Sequence, residues 1–265
     1  MSAEATHAGG ERLRFDAGRT LDLSIPLRFD GAQPNHFGAR PASDAPMTSG
    51  DFVGDTRRGG SCNAVEVTLN PHCNGTHTEC VGHVTDERTS VTELVRDVLC
   101  RAQLITVTPA TAKAGDRIID VAELEAAVRA LPAGTRALVV RTLPNGEGKR
   151  QRAYRDSSDS PWYTTEAAQW LVDRGIEHWL TDTPSIDRLH DGGKLAAHRV
   201  FWGLAADSRR LADAARPHAT ITEMIFVPDS IADGAYALNL QLAPFALDAT
   251  PSRPLLYPLL ENNMP

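Results

Sequence analysis

Long hydrophobic runs are missing from this 265-residue chain. No window approaches the roughly 18 apolar residues that a membrane-spanning helix requires, so such a helix is not expected. Positive charge is also short: 27 Lys plus Arg stand against 34 Asp plus Glu, giving a formal net charge of −7, and no basic run stands out. That excludes the usual electrostatic footprint of a nucleic-acid binder and leaves small molecules, or other copies of the chain, as the expected partners. The first twenty residues hold no apolar stretch, so a secretory signal is not expected and the chain reads as cytoplasmic. Cysteine is scarce. Its four residues, Cys62, Cys73, Cys80 and Cys100, are expected as free thiols in a reducing compartment. None is paired as Cys-x-x-Cys, which removes the zinc-finger pattern. Internal repeats, low-complexity blocks and dividing linkers are absent too.

What is present is ordinary core-forming periodicity, and a hydrophobic share of 42% over this length suffices for a core without staples. Residues 21–27 alternate apolar and polar, and Pro26 predicts a short or edge strand. Residues 64–69 place Val65, Val67 and Leu69 on one face, which predicts a half-buried strand. Helices are expected from about Thr92, over residues 121–130 and over residues 164–174, with a shorter one around Leu211, Ala214 and Ala215. Strands are expected over residues 103–107, 137–140, 178–181, 220–227 and 236–242. Together these imply one α/β domain, residues 20–265, with a mixed β-sheet flanked by helices and a loose leader over residues 1–19. The Gly- and Pro-rich stretch 30–60 is too long for a simple connector and is expected to line or cover a site.

Immediately after the strand predicted at 64–69 and the turn pair Asn70-Pro71 lie Cys73, Gly75, His77, Glu79, Cys80 and His83. Thiolate, imidazole and carboxylate are transition-metal ligands, and Gly75 permits a bend that aims several of them at one point. Three protein ligands suffice for a catalytic metal with an open position. Cys80 and Cys100 read instead as small buried apolar residues. His72 reads as an exposed turn residue that has the chemistry to substitute for Cys73.

Gly75-Thr76-His77 with Glu79 and His83 resembles the His-x-Gly-Thr-His-x-Asp-x-Pro-x-His signature of the metal-dependent cyclase family, which includes bacterial kynurenine formamidases and isatin hydrolases. It departs from that signature at Cys73 for the first His, Glu79 for the Asp and Val81 for the Pro. Residues 23–27 resemble the family's opening strand, and residues 181–187 its segment before a functional His, here His198. Residues 221–225 resemble the strand carrying a functional Glu, here Glu223. The resemblance implies a swivelling β/β/α fold, an oligomer and hydrolysis of a small amide, formamide or lactam. It implies metal ligands Cys73, His77 and Glu79, with His83 passing a proton to the leaving amine. His198 and Glu223 would bind a second metal or orient water and substrate. A thiolate among the ligands favours zinc, with manganese compatible. Phe37, Trp162 and Trp202 are candidates to line the pocket. Two further readings stand beside this one: a thiol hydrolase with Cys73 as nucleophile and His77 as base, and a non-catalytic binding protein on the same fold.

Overall fold

The computed structural model of the chain describes residues 2–6, 12–95, 98–112, 115–128, 130–156 and 159–260. Eight strands form one mixed sheet: β1 (Leu21–Asp22), β2 (His77–Glu79), β3 (Leu99–Val107), β4 (Thr135–Thr142), β5 (His178–Thr181), β6 (Thr220–Glu223), β7 (Gly234–Leu242) and β8 (Ala249–Pro258). Their order is β7-β3-β4-β5-β6-β2-β8-β1, and β7 also pairs with β8, so the sheet closes on itself like a barrel. Strands β3 to β6 run parallel, whereas β2 and β7 are antiparallel to their neighbours. Among the described residues four helices, α1 (Val91–Leu94), α2 (Val121–Ala127), α3 (Thr165–Asp173) and α4 (Ala196–Trp202), complete the α/β architecture.

The apolar run in β4 is continuous because both of its faces are buried. Leu138 and Val140 point into a cluster with Trp179, Phe201 and Trp202, where α2, α3 and α4 cover the sheet. Ala137 and Val139 point the other way, into the closed interior with Leu104, Leu180, Leu238 and Leu256. The polar exit of β4 is tied down by a buried pair: Lys149 Nζ donates to Asp182 Oδ2 at 2.7 Å and to the Thr142 carbonyl at 2.6 Å. Asp182 also accepts from the Thr142 amide and hydroxyl, which locks the ends of β4 and β5 together below the site.

Three expectations change. Val65–Thr68 is a strand, but it pairs in a two-stranded ribbon with Ser43–Pro46, and all four residues are exposed. Alternation of apolar and polar residues is the same for a half-buried strand and an exposed ribbon, so the pattern does not separate them. The metal-ligand segment consequently does not follow a core strand; it is one, since β2 lies inside the sheet between β6 and β8. The leader expected to be loose contains the strand Arg12–Asp16, which pairs with Ser2–Thr6. Its Leu13 and Phe15 share one face and bury against Ala237 of β7. Finally, α1 is a single turn with a Ser90/Glu93 capping box, and the element at Leu211–Asp213 is a 3-10 turn. Positions 96–97 and 129, within or beside two of the predicted helices, lie outside the described residues.

Candidate metal centre

Alternation along β2 sends His77 and Glu79 to one face and Thr78 to the other. Thr78 bonds Thr222 across the strands at 2.8 Å. Antiparallel register then sets Glu223 of β6 directly opposite His77. The turn before β2 is fixed by Gly75, at φ 81°, and by Thr76, whose hydroxyl donates to the Met224 carbonyl at 2.6 Å and accepts the Ile25 amide. Met224 itself carries φ 52°, a strained backbone held immediately after Glu223.

The fourth member arrives on α4. This helix has no Ser, Thr, Asn or Asp at its N-cap; the cap is Leu195 at φ 48°. Its first amides are satisfied from a distance, by Asp187 accepting from Ala197 and His198. The same carboxylate takes His198 Nδ1 at 2.6 Å and so aims Nε2 at the centre. His198 Nε2 reaches Glu79 Oε1 at 2.8 Å and Glu223 Oε1 at 3.7 Å, and His77 Nε2 lies 3.5 Å from Glu223 Oε2. His77, Glu79, His198 and Glu223 are all buried.

His72 is in a turn, as expected, but it faces inward: Nδ1 lies 3.0 Å from Glu79 Oε2, and Nε2 lies 2.7 Å from Asp248 Oδ2. His83 stacks beside it with ring centroids 4.2 Å apart, and its Nδ1 lies 3.5 Å from the same Asp248 oxygen. Of the predicted residues, His77, Glu79, His83, His198 and Glu223 are thus brought together. Cys73 is buried on the same wall without joining any of the three donor sets, which are His72/His77/Glu79, His72/His83/Asp248 and Glu79/His83/His198. Cys80 and Cys100 are buried, and Cys80 donates to the Thr89 carbonyl. The sequence reading missed His36, Asp187 and Asp248. Asp187 sits inside the segment that marked His198, whereas nothing near Asp248 in the sequence signals a role.

Electrostatics follow from the burial. Burial alone would raise Glu79, yet the positive charges of His83 and His198 hold it well below the carboxylate range. Burial alone would lower His72, but its bonds to Asp248 and Glu79 outweigh that and raise it to about 10. His198 is raised in the same way, against burial, by Glu79 and Asp187. His36 moves oppositely: burial, with the charges of His77 and His198, lowers it to about 4, so it is neutral at physiological pH. Burial and the Glu223 charge push the Cys73 thiol up to about 11.

The donor set fits a divalent metal. His77 Nε2 is buried without a hydrogen-bond partner, a costly state for a polar atom unless something else satisfies it, and Glu79 Oε1 is approached by His198 Nε2 at 2.8 Å. Glu79, His83, His198 and Glu223 line a cavity of about 640 Å³, walled further by His36, Phe37, Arg188, Leu189 and His190. Phe37 therefore takes the predicted lining role. Trp202 does not, being a core residue behind His198, and Trp162 borders neighbouring clefts instead.

Gly82 sets how closely this wall packs. A Cβ there would lie 2.4 Å from the Thr89 carbonyl oxygen and 3.1 Å from Asp248 Cβ. Gly82→Ala is expected to cost about 1–3 kcal/mol, the usual range for overpacking, and to weaken metal binding by displacing His83 and Asp248. Urea unfolding beside metal titration measures both effects, and a neutral variant would remove this account of Gly82.

Comparison with known proteins adds three findings. The Cyclase family matches residues 21–188, a stretch that includes β2 but stops short of His198, Glu223 and Asp248. A kynurenine formamidase from Bacillus cereus is 28% identical over 245 residues, which span 90% of this chain and 97% of that protein. Among solved structures, a potential metal-dependent hydrolase with cyclase activity superposes with a TM-score of 0.62 at 15% identity, covering 92% of this chain and 99% of that one. Isatin hydrolase A from Labrenzia aggregata does so with a TM-score of 0.59 at 18% identity, over 91% and 94% of the two chains. No helix among the described residues is long and apolar enough to cross a membrane.

Proposed function

The chain belongs to the Cyclase family, and from that premise we propose that it is a metal-dependent hydrolase of small amides, with an aryl formamide or an aryl lactam as its substrate class. The observation that carries the reading is the buried cluster of His77, Glu79, His198 and Glu223 beside an open cavity, with His77 Nε2 left without a hydrogen bond. The names of the similar proteins, a kynurenine formamidase and isatin hydrolases, support the amide class.

His77 and Glu79 would hold the metal together with His198 and Glu223, and Cys73 stands where the family resemblance expects a further ligand. A divalent metal bound there supplies Lewis acidity, which makes water more acidic and a carbonyl more electrophilic. Zinc is favoured where a thiolate ligates, and manganese suits the nitrogen and oxygen donors. The chain's own groups do the rest. Asp187 orients His198 through Nδ1 and leaves Nε2 facing the cavity. His83, a quarter exposed on the cavity wall, carries the proton to the leaving amine. His36, buried and neutral with Nδ1 unpartnered, presents a hydrogen-bonding edge to the substrate. Phe37, exposed at the mouth, offers an aromatic face. The oligomer implied by the family resemblance and a catalytic unit spanning residues 20–265 belong to the same proposal.

The thiol-hydrolase reading is the weaker one. Burial holds the Cys73 thiol protonated, and among the described residues no hydrogen bond joins its sulfur to an imidazole. The test is turnover of an N-formyl aryl amine by protein of measured metal content. Chelation is expected to abolish turnover and zinc or manganese to restore it. Metal-free protein that turns over at the same rate would sink the proposal.

A further inference from the structure

We propose that His72, oriented by Asp248, is the metal ligand that takes the place expected of Cys73. The inference rests on the metal-dependent reading above and names which residue completes its site. The donor atoms of His72, His77 and Glu79 lie within 4.8 Å of one another, a spacing that one ion can bridge, and Cys73 enters no such set.

The orientation of each imidazole supports the same assignment. A metal-bound histidine almost always donates its second ring nitrogen to a carboxylate or a backbone carbonyl, which fixes the ring and its tautomer. His77 does so through Nδ1 to the Gly75 carbonyl at 3.0 Å, and His198 through Nδ1 to Asp187 at 2.6 Å. His72 has the same arrangement with its nitrogens exchanged: Nε2 is held by Asp248 at 2.7 Å, and Nδ1 is presented to Glu79. Asp248 is itself fixed, because its carbonyl accepts the Cys80 amide at 2.9 Å and its Cβ packs close to Gly82. A cysteine in the motif position therefore does not imply a sulfur ligand. The chain shifts the donor by one residue and recruits a carboxylate from the far end of the sequence to steer it.

The consequence is chemical. With His72 in place of a thiolate, the ligands from this segment are two neutral imidazoles and one carboxylate. Less charge is donated to the metal, so its Lewis acidity is preserved, and the softness argument for zinc over manganese falls away.

Absorption spectroscopy of the full-length protein loaded with cobalt(II) tests this without reference to activity. Ligation by nitrogen and oxygen alone gives visible d–d bands and no sulfur-to-cobalt charge-transfer band in the near ultraviolet. The wild type is expected to lack that band, and Cys73→Ser to leave spectrum and stoichiometry unchanged. Asp248→Asn is expected to weaken metal affinity by about 10–100-fold, the usual effect of losing a ligand's orienting partner, and His72→Ala by at least as much. A sulfur-to-cobalt band that vanishes in Cys73→Ser would overturn the proposal while leaving the metal-dependent reading intact. Unchanged affinity in a folded His72→Ala variant, verified by circular dichroism, would also overturn it. A folded wild type that binds neither cobalt nor zinc would remove both. If His72→Ala fails to fold, the wild-type spectrum still tests Cys73, and the metal affinity of Asp248→Asn still tests His72.

Discussion

Glu79→Gln is expected to strip the chain of its metal, lowering zinc or manganese affinity by at least the roughly 100-fold that loss of a mere supporting partner can cost, and turnover with it. Glu79 is in contact with His72, His83 and His198 at once. In the metal-free chain the substitution has a second effect. Glu79 is the buried counter-charge of His72 and His198, and removing one partner of a buried ion pair costs about 3–5 kcal/mol. The pH window has a definite sign. Glu79 is depressed, so its contribution is present above its ordinary value of 4.5 and is lost as pH falls below it. His72 and His198 are raised, so theirs is complete below the ordinary 6.5 and, for His72, is lost as pH climbs toward about 10. The stability gap between metal-free wild type and Glu79→Gln is therefore largest between about pH 4.5 and 6.5. Urea denaturation at pH 5.5 and pH 9, after chelation, measures it. A gap that is equal at both values, or larger at pH 9, would contradict this assignment of charges.

His83→Asn is expected to lower kcat by about 10²–10⁴-fold, the range for losing a positioned acid or base, while the bound metal stays at its wild-type level. In the proposed mechanism His83 passes a proton rather than holding the ion. It is a quarter exposed on the cavity wall, stacked on His72, with Nδ1 3.5 Å from Asp248 and Nε2 3.9 Å from Glu79. The two substitutions thus separate by readout: Glu79→Gln loses metal and rate together, and His83→Asn loses rate alone. Elemental analysis of the two purified variants beside their kinetics decides it, and a metal-free His83→Asn protein would reassign His83 as a ligand.

The parts of this site that the sequence discloses are those whose spacing is itself the geometry. His77 and Glu79 are two apart, so any extended segment puts them on one face, and the run through Gly75 and His83 is recognisable at once. His72 is illegible for the converse reason. Its direction depends on Asp248, 176 residues away, and nothing local separates a ligand from a solvated turn residue. The core strand β4 carries an apolar run, and β7 an alternation of apolar and polar residues, that allow few alternatives. Strand β8 is less plain, because Pro251, Pro254 and Pro258 each lack a ladder donor and argue against a strand. The sheet accepts them by using their other group, as where the Leu23 amide bonds the Pro254 carbonyl. Helix α4 was hidden similarly. Its stabilising carboxylate, Asp187, comes from outside the helix, beyond the reach of any local capping rule.

The closure of the sheet by β8 also sets an order of events. β8 flanks β2, with Ala249 opposite Glu79 and Pro251 opposite His77, and it brings in Asp248 one residue earlier. A chain growing from its N-terminus has made every histidine of the centre well before it makes the strand that encloses them. Until β8 is in place the centre stays open on one side, so uptake of a metal is expected to follow the closing of the seam between β7 and β8.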